Sequence, residues 1–343
     1  MESYSNKSLI HVRMKNFVKW IAPEKETRDV IKKQSDEIRG RIKGKAEEDG
    51  LTVMSMPYSG SFAKKTGLRR HYRGESESEG QDIDIPFVVK KDKETEFEPL
   101  IKRFEKYCEA SYPNTKRKPS KSSVKMEFVG TKLSYDIVPM FGTSESDKQI
   151  LIRENGEIIT TSIQKHIEFI KSRTKQSDDK DGIVKFNDCI RLLKWWREHK
   201  ILKSSGNIDE IPSFLIDLLA AKAYAKCGVD TTYPQTLANW FSYLSFVVKS
   251  RETIWFNDFY TTPKPDTIKA WNVLDPVMPD NNVVKNWQGY QIDELAAWFQ
   301  DAAELMNKAI GADLSGDDVR SLDNLKLVFG KIFESHCNEE INK

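Results

Sequence analysis

The four cysteines of the 343-residue chain, Cys108, Cys189, Cys227 and Cys337, never approach CxxC spacing. The five histidines, His11, His71, His166, His199 and His336, form no ligand pattern either. Their spacing argues against structural zinc and other metals held by thiolate or imidazole, and a hard cation held by carboxylates stays open. No apolar run approaches the roughly 18–20 residues of a membrane span. The first twenty residues, "MESYSNKSLIHVRMKNFVKW", lack the apolar core and small-residue cleavage site of a signal peptide, so a cytoplasmic protein with reduced thiols and no membrane contact is expected. Excess charge is also missing. Fifty-four basic residues against 52 acidic ones leave a formal charge of +2, which argues against a nucleic-acid binder working by bulk electrostatics. There is no internal repeat and no long low-complexity tract.

What is present is 38% hydrophobic and 31% charged residues, the balance of a globular protein with a charge-rich surface. Residues 24–49 carry dense charge with a narrow apolar stripe at Val30, Ile31, Ile38 and Ile42, which predicts a long helix ended by Asp49-Gly50. Strand-like runs follow at Leu51 to Met56, Ile83 to Val89, Lys125 to Val129 and Leu133 to Met140, the last two joined by a Gly-Thr turn as a hairpin. Residues 96–112 have helical periodicity, and "RKPSKSSVK" at 117–125 reads as a basic loop. Beyond about residue 160 the pattern is helical, with helices predicted over 160–172, 183–200, 211–226, 235–249, 291–310 and 322–335. The expectation is an α+β fold of two lobes with the active site in the cleft. Residues 1–50 would be an N-terminal helical segment, 51–160 a mixed-sheet catalytic core and 161–343 a helical lobe.

The chemistry gathers around "GQDIDIPFVVK". Asp82 and Asp84 lie two apart at the start of a strand, so both carboxylates point to one face, roughly 7 Å apart at Cα. Such a pair can hold two divalent cations about 3.5–4 Å apart, and Mg²⁺ suits a site of few carboxylates completed by phosphate oxygens. Asp136 in "KLSYDIVPM" offers a third carboxylate, costly to bury unless a cation or donor meets it. Upstream, "YSGSFAKKT" puts Gly60 and Ser61 directly after an apolar run. Gly60 permits close backbone approach, Ser61 offers a short hydroxyl, and Lys64, Lys65 and Thr66 would line the same phosphate path.

Together "GSFAKKT", "DIDIPFVV" and "YDIVP" resemble the polymerase-β-type nucleotidyltransferases. In the second half, "IRLLKWWRE" (190–198), "IPSFLIDLLAAKAY" (211–224) and "VLDPVMPDNNV" (273–283) are similar to the cyclic GMP-AMP synthase and oligoadenylate synthetase branch. Within it the chain resembles the CD-NTases, the cyclic-oligonucleotide synthases of CBASS antiphage systems. The resemblance implies metal-binding, catalytic roles for Asp82, Asp84 and Asp136 and a phosphate grip by Gly60 and Ser61. It also implies a phosphate contact by Lys194, a polar nucleotide contact by Ser213 and base stacking by Phe214. Phe214 departs from the tyrosine usual there, which keeps the aromatic face and loses the hydroxyl. The implied reaction is two-Mg²⁺ nucleotidyl transfer from ATP or GTP, with Mn²⁺ able to substitute and Asp136 as general base. It would yield a cyclic di- or trinucleotide second messenger read by an effector.

The residues alone leave a polar stripe of Asn187, Arg191, Lys194 and Glu198 that a solvated helix face would equally explain. Trp195 and Trp196 are expected in the core. The stretch 62–81 is longer than in oligoadenylate synthetases and reads as a solvated loop. Three other functions are weighed, and a tRNA-tailing enzyme is set aside because it would want a larger basic surface or an added RNA-binding domain, neither of which is evident. A double-stranded-RNA-activated linear oligoadenylate synthetase needs a basic face, and the balanced charges of residues 24–49 do not supply one. A catalytically silent binding protein of this fold would typically have lost a carboxylate, and this chain keeps three.

Overall fold

The computed structural model describes residues 8–69, 71–73, 76–78, 83–91, 100–153, 156–179, 183–203, 206, 208 and 210–338. In chain order the helices α1 (Leu9–Ile21) and α2 (Lys25–Glu48) precede β1 (Val53–Ser55), α3 (Gly60–Lys64), β2 (His71–Arg73), β3 (Ser76–Ser78) and β4 (Ile83–Val89). Next come α4 (Leu100–Ser111), β5 (Lys116–Pro119), β6 (Val124–Phe128), β7 (Leu133–Gly142), β8 (Gln149–Ile152) and β9 (Ile158–Thr161). The remainder is helical: α5 (Ile163–Asp178), α6 (Phe186–Lys203), α7 (Ser213–Cys227), α8 (Tyr233–Lys249), α9 (Gly289–Leu314), α10 (Asp318–Phe329) and α11 (Lys331–His336). The fold is α+β, as the patterning predicts.

The chain divides into two compact units, one of residues 23–168 and one of 1–22 with 169–343. The expected division had three segments, with boundaries at 50 and 160. The N-terminal segment is no unit of its own. Its charged helix α2 joins the sheet, because Ile31, Ile38, Ile42 and Ala46 are the only stripe it can bury and that stripe packs in the sheet's core. Val30, counted in the predicted stripe, is instead exposed.

In the sheet unit the strand order is β1-β4-β7-β6-β5, with β8 on β7 and β9 on β8. The β4–β7 pairing is parallel and the others are antiparallel. One face carries Ile83, Ile85, Phe87, Val89, Tyr135, Ile137, Phe141, Val124 and Met126 into a core shared with α2 and α4. Strand side chains alternate between faces, so Asp84, Asp136, Ser123 and Lys125 lie on the other face. The core thereby positions the site. Three features depart from the expectation. The basic stretch at 117–125 is an edge strand and a turn rather than a loop; β8 and β9 extend the sheet; and the 62–81 stretch contains the antiparallel pair β2–β3.

In the helical unit α8 and α10 pack on α9, and α7 is buried along Leu215 to Ala221. Trp195 and Trp196 are core residues, as expected. The Trp195 indole N–H donates to the Phe329 carbonyl at 2.8 Å, and Trp196 stacks on Phe299 at 4.8 Å. The helix predicted over 322–335 breaks into α10 and α11 at Gly330. Its φ of +87° lies in the left-handed region, and a Cβ there would come within 2.8 Å of the His199 ring.

Candidate active site

Asp84 is the one half-exposed residue in a strand otherwise buried along its length. Every other residue of β4 is buried, so the carboxylate interrupts a run that packing alone would leave apolar. Asp84 stands in register with Asp136 on the neighbouring strand. Paired residues of adjacent strands share a face about 4.8 Å apart. Two carboxylates distant in sequence are thus side by side. Asp82 falls outside the described residues.

Asp136 is half-exposed and has a donor: the Ser123 hydroxyl donates to its Oδ1 at 2.7 Å. Ser123 is buried, and its Oγ lies 2.7 Å from that of Ser120 across the turn joining β5 to β6. On the far side of Asp136, Lys125 is its register partner, and Lys118 is opposite Lys125. A row of Asp84, Asp136, Lys125 and Lys118 therefore crosses four strands on one face. Sequence reasoning misses Ser123 because its stretch has the composition of a loop.

The Gly60-Ser61 stretch opens the short helix α3, which packs against β4, the strand of Asp84. Gly60 has φ +62°, a conformation that L side chains rarely adopt. The Ser61 hydroxyl oxygen is buried and has no hydrogen-bond partner among the described residues. An orphaned donor here fits an anion supplied from outside. Thr66 is fully buried, and its N–H donates to the Ser61 carbonyl at 3.0 Å, bracing the turn from behind. Lys65 takes the left-handed conformation that ends α3. From α2, the Arg39 guanidinium lies 4.0 Å over the Tyr58 ring and donates to the Pro57 carbonyl at 3.3 Å. Tyr58 donates to Asp36 at 3.0 Å, and burial followed by that bond pushes its hydroxyl pKa up.

The helical unit treats its candidates differently. Lys194 is not on a solvated face. It is buried with its ammonium 2.9 Å from Asp217, which is buried as well. Asn187 and Arg191 of the same stripe are also buried, and Arg191 pairs with Asp188. The missed residue is Asp217, whose signal is a lone carboxylate within the apolar run "FLIDLLAA". A buried ammonium needs such a counter-ion, which gives Lys194 a partner inside the fold where a phosphate was expected. Ser213 opens α7 half-buried, and its Oγ accepts from the Arg197 guanidinium at 2.9 Å. Phe214 is half-buried and outside the core. The Asp-Pro…Asn segment is braced from within and by Tyr260, whose hydroxyl donates to the Asp275 carbonyl at 3.0 Å. Asp275 accepts from the Val277 N–H at 2.8 Å and from the Asn281 side chain at 3.1 Å. Asn282 accepts from the Val273 and Val284 N–H groups, each at 3.1 Å.

Among the described residues no cluster of three or more His, Cys, Asp or Glu is placed to hold a metal. What remains is a carboxylate pair in register beside a turn with an orphaned hydroxyl. That donor set suits a hard cation and a phosphate together.

Residues 10–173 match the Second Messenger Oligonucleotide or Dinucleotide Synthetase domain, SMODS. The chain is 28% identical over 293 residues to the cyclic AMP-AMP-AMP synthase of Escherichia coli strain MS 115-1, a match covering 83% of this chain and 86% of that protein. The structure of E. coli MS115-1 CdnC with ATP superposes with a TM-score of 0.77 at 26% identity, covering 96% of this chain and 99% of the other. That of Bradyrhizobium diazoefficiens CdnG with GTP superposes at 0.70 with 14% identity, covering 99% and 100%, and shows the shared fold.

Proposed function

We propose, from the premise that the chain is a nucleotidyltransferase of the CD-NTase family, that it joins ATP into a cyclic trinucleotide and releases pyrophosphate. The observation that carries this reading is the register pair Asp84 and Asp136 on the sheet face opposite the core. The choice of ATP and of three units rests on likeness to the E. coli cyclic AMP-AMP-AMP synthase. The family implies a role in antiphage defence, with an effector that reads the product.

Gly60 and Ser61 hold the triphosphate, with the buried Ser61 hydroxyl donating to it. Thr66 keeps that turn in shape. Asp82, Asp84 and Asp136 would hold two Mg²⁺ ions, which when bound neutralise phosphate charge and acidify the attacking hydroxyl. The ribose hydroxyl attacks the α-phosphorus in line, and Asp136 takes its proton as pyrophosphate leaves. Holding the reactants aligned supplies much of the acceleration. Phe214 would stack on a base, and Ser213 would offer it a hydroxyl. Repetition of the step lengthens the chain, and attack by the terminal hydroxyl on the first α-phosphate closes the ring.

Incubation with Mg²⁺ and all four labelled NTPs, followed by phosphatase and chromatography, tests this. A phosphatase-resistant product that needs only ATP, and is absent from Asp84→Ala/Asp136→Ala, is expected. A phosphatase-sensitive ladder appearing only with double-stranded RNA would instead identify a linear oligoadenylate synthetase.

A further inference from the structure

We infer that Ser123, backed by Ser120, is a positioning residue that sets the orientation of the Asp136 carboxylate. The inference rests on the assignment of Asp136 to the metal-binding face.

Proton bookkeeping gives the contact a direction. An ionised carboxylate only accepts hydrogen bonds. The single Ser123 hydroxyl proton is therefore committed to Asp136 Oδ1, 2.7 Å away. The Ser120–Ser123 contact, also 2.7 Å, must then run the other way, with Ser120 donating and Ser123 accepting. The chain is Ser120 O–H to Ser123 Oγ, then Ser123 O–H to Asp136. Each link polarises the next toward the carboxylate.

The backbone holds this chain in place. The Ser120 N–H donates to the Ser123 carbonyl at 2.8 Å, which closes the turn between β5 and β6. Ser123 directly precedes β6, the antiparallel neighbour of β7, and only 6% of its surface is exposed. A buried serine on a closed turn has little rotamer freedom. Asp136 is thereby held from three sides: Asp84 beside it on β4, Lys125 beside it on β6, and the Ser123 hydroxyl bonded to Oδ1. Without the hydroxyl, the carboxylate can turn about its last torsion, which is broad and soft. A metal ligand held by such an outer partner typically loses about 10–100-fold in affinity or activity when the partner is removed.

The test uses the full chain with Ser123→Ala, Ser123→Thr, Ser120→Ala and Asp136→Ala. Mn²⁺ binding is measured by electron paramagnetic resonance without nucleotide, kcat and KM for ATP separately, and folding by thermal melting. For Ser123→Ala, Mn²⁺ affinity and kcat are each expected to fall about tenfold or more, with KM for ATP within about twofold. Ser123→Thr, which keeps the hydroxyl, is expected to restore most of both. Ser120→Ala, at an exposed position, is expected to give a smaller loss in the same direction, and it carries the test should Ser123→Ala not fold. The proposal is overturned if folded Ser123→Ala, or Ser120→Ala in its place, keeps wild-type Mn²⁺ affinity and kcat. It is also overturned if Ser123→Thr loses as much as Ser123→Ala. Failure of the underlying assignment looks different, because Asp136→Ala would then bind Mn²⁺ like the wild type.

Discussion

The sheet unit and the helical unit both place charged side chains within apolar elements, and they use them in opposite ways. On the sheet, Asp84 and Asp136 are half-exposed, side by side, on a face the core does not use. In the helices, Lys194 and Asp217 are nearly fully buried and neutralise each other. Like charges side by side at a surface repel and so favour a bound cation, whereas an opposite pair in the interior is internally complete. In the reading proposed above, the first arrangement serves a site and the second holds the fold.

The largest effect that would break this contrast is on catalysis. Asp84→Asn and Asp136→Asn are each expected to lower product formation by about 10³-fold or more, while thermal melting shows no loss of stability. A melting temperature that falls together with activity would make these carboxylates structural. In the helical unit the reverse is expected. Lys194→Met or Asp217→Leu alone should cost about 3–5 kcal/mol by leaving a buried charge unpaired, and the double variant should recover most of it. Urea unfolding of the two singles and the double measures this directly.

A smaller effect in the helical unit depends on pH. His11 is buried, stacks on Tyr233 and accepts from the Tyr233 N–H at 3.2 Å. Burial, and then the charge of Lys15, lower its pKa from 6.5 to about 4. The unfolded chain binds a proton between those values and the folded chain does not. Stability is therefore intact above pH 6.5 and falls as pH drops toward 4, by roughly 3 kcal/mol in all. His11→Gln should flatten the dependence of urea midpoint on pH across that window. The smallest effect concerns the base. Phe214→Leu is expected to raise KM for ATP about tenfold, a stacking loss of about 1–2 kcal/mol, and Phe214→Tyr to leave it unchanged. An equal KM for Phe214→Leu would place the ring outside the site.

Much of this was legible along the chain. The period-two alternation of "DIDIPFVV" and "YDIVPM" separates core face from site face, and the charged helix of residues 24–49 shows its buried stripe. The turn at Gly60 and the core tryptophans were also readable. The misses share one cause. The β5 strand, Ser123 and the strands β8 and β9 belong to short antiparallel segments of four residues or so. Nothing local distinguishes such a segment from a loop until a partner strand supplies its hydrogen bonds. The burial of Lys194 was hidden for a related reason, since a polar stripe on a helix looks the same whether water or an acidic neighbour covers it.

Side-chain period and backbone tolerance are local properties, so the order of residues alone named candidates for chemistry and showed which faces were apolar. It took the folded chain to set Asp84 beside Asp136, to bring Ser123 against that carboxylate and to pair Lys194 with Asp217. Those are pairings between segments distant in the chain. They depend on strand register and helix packing, which balance the burial of whole faces against the cost of leaving any polar group without a partner.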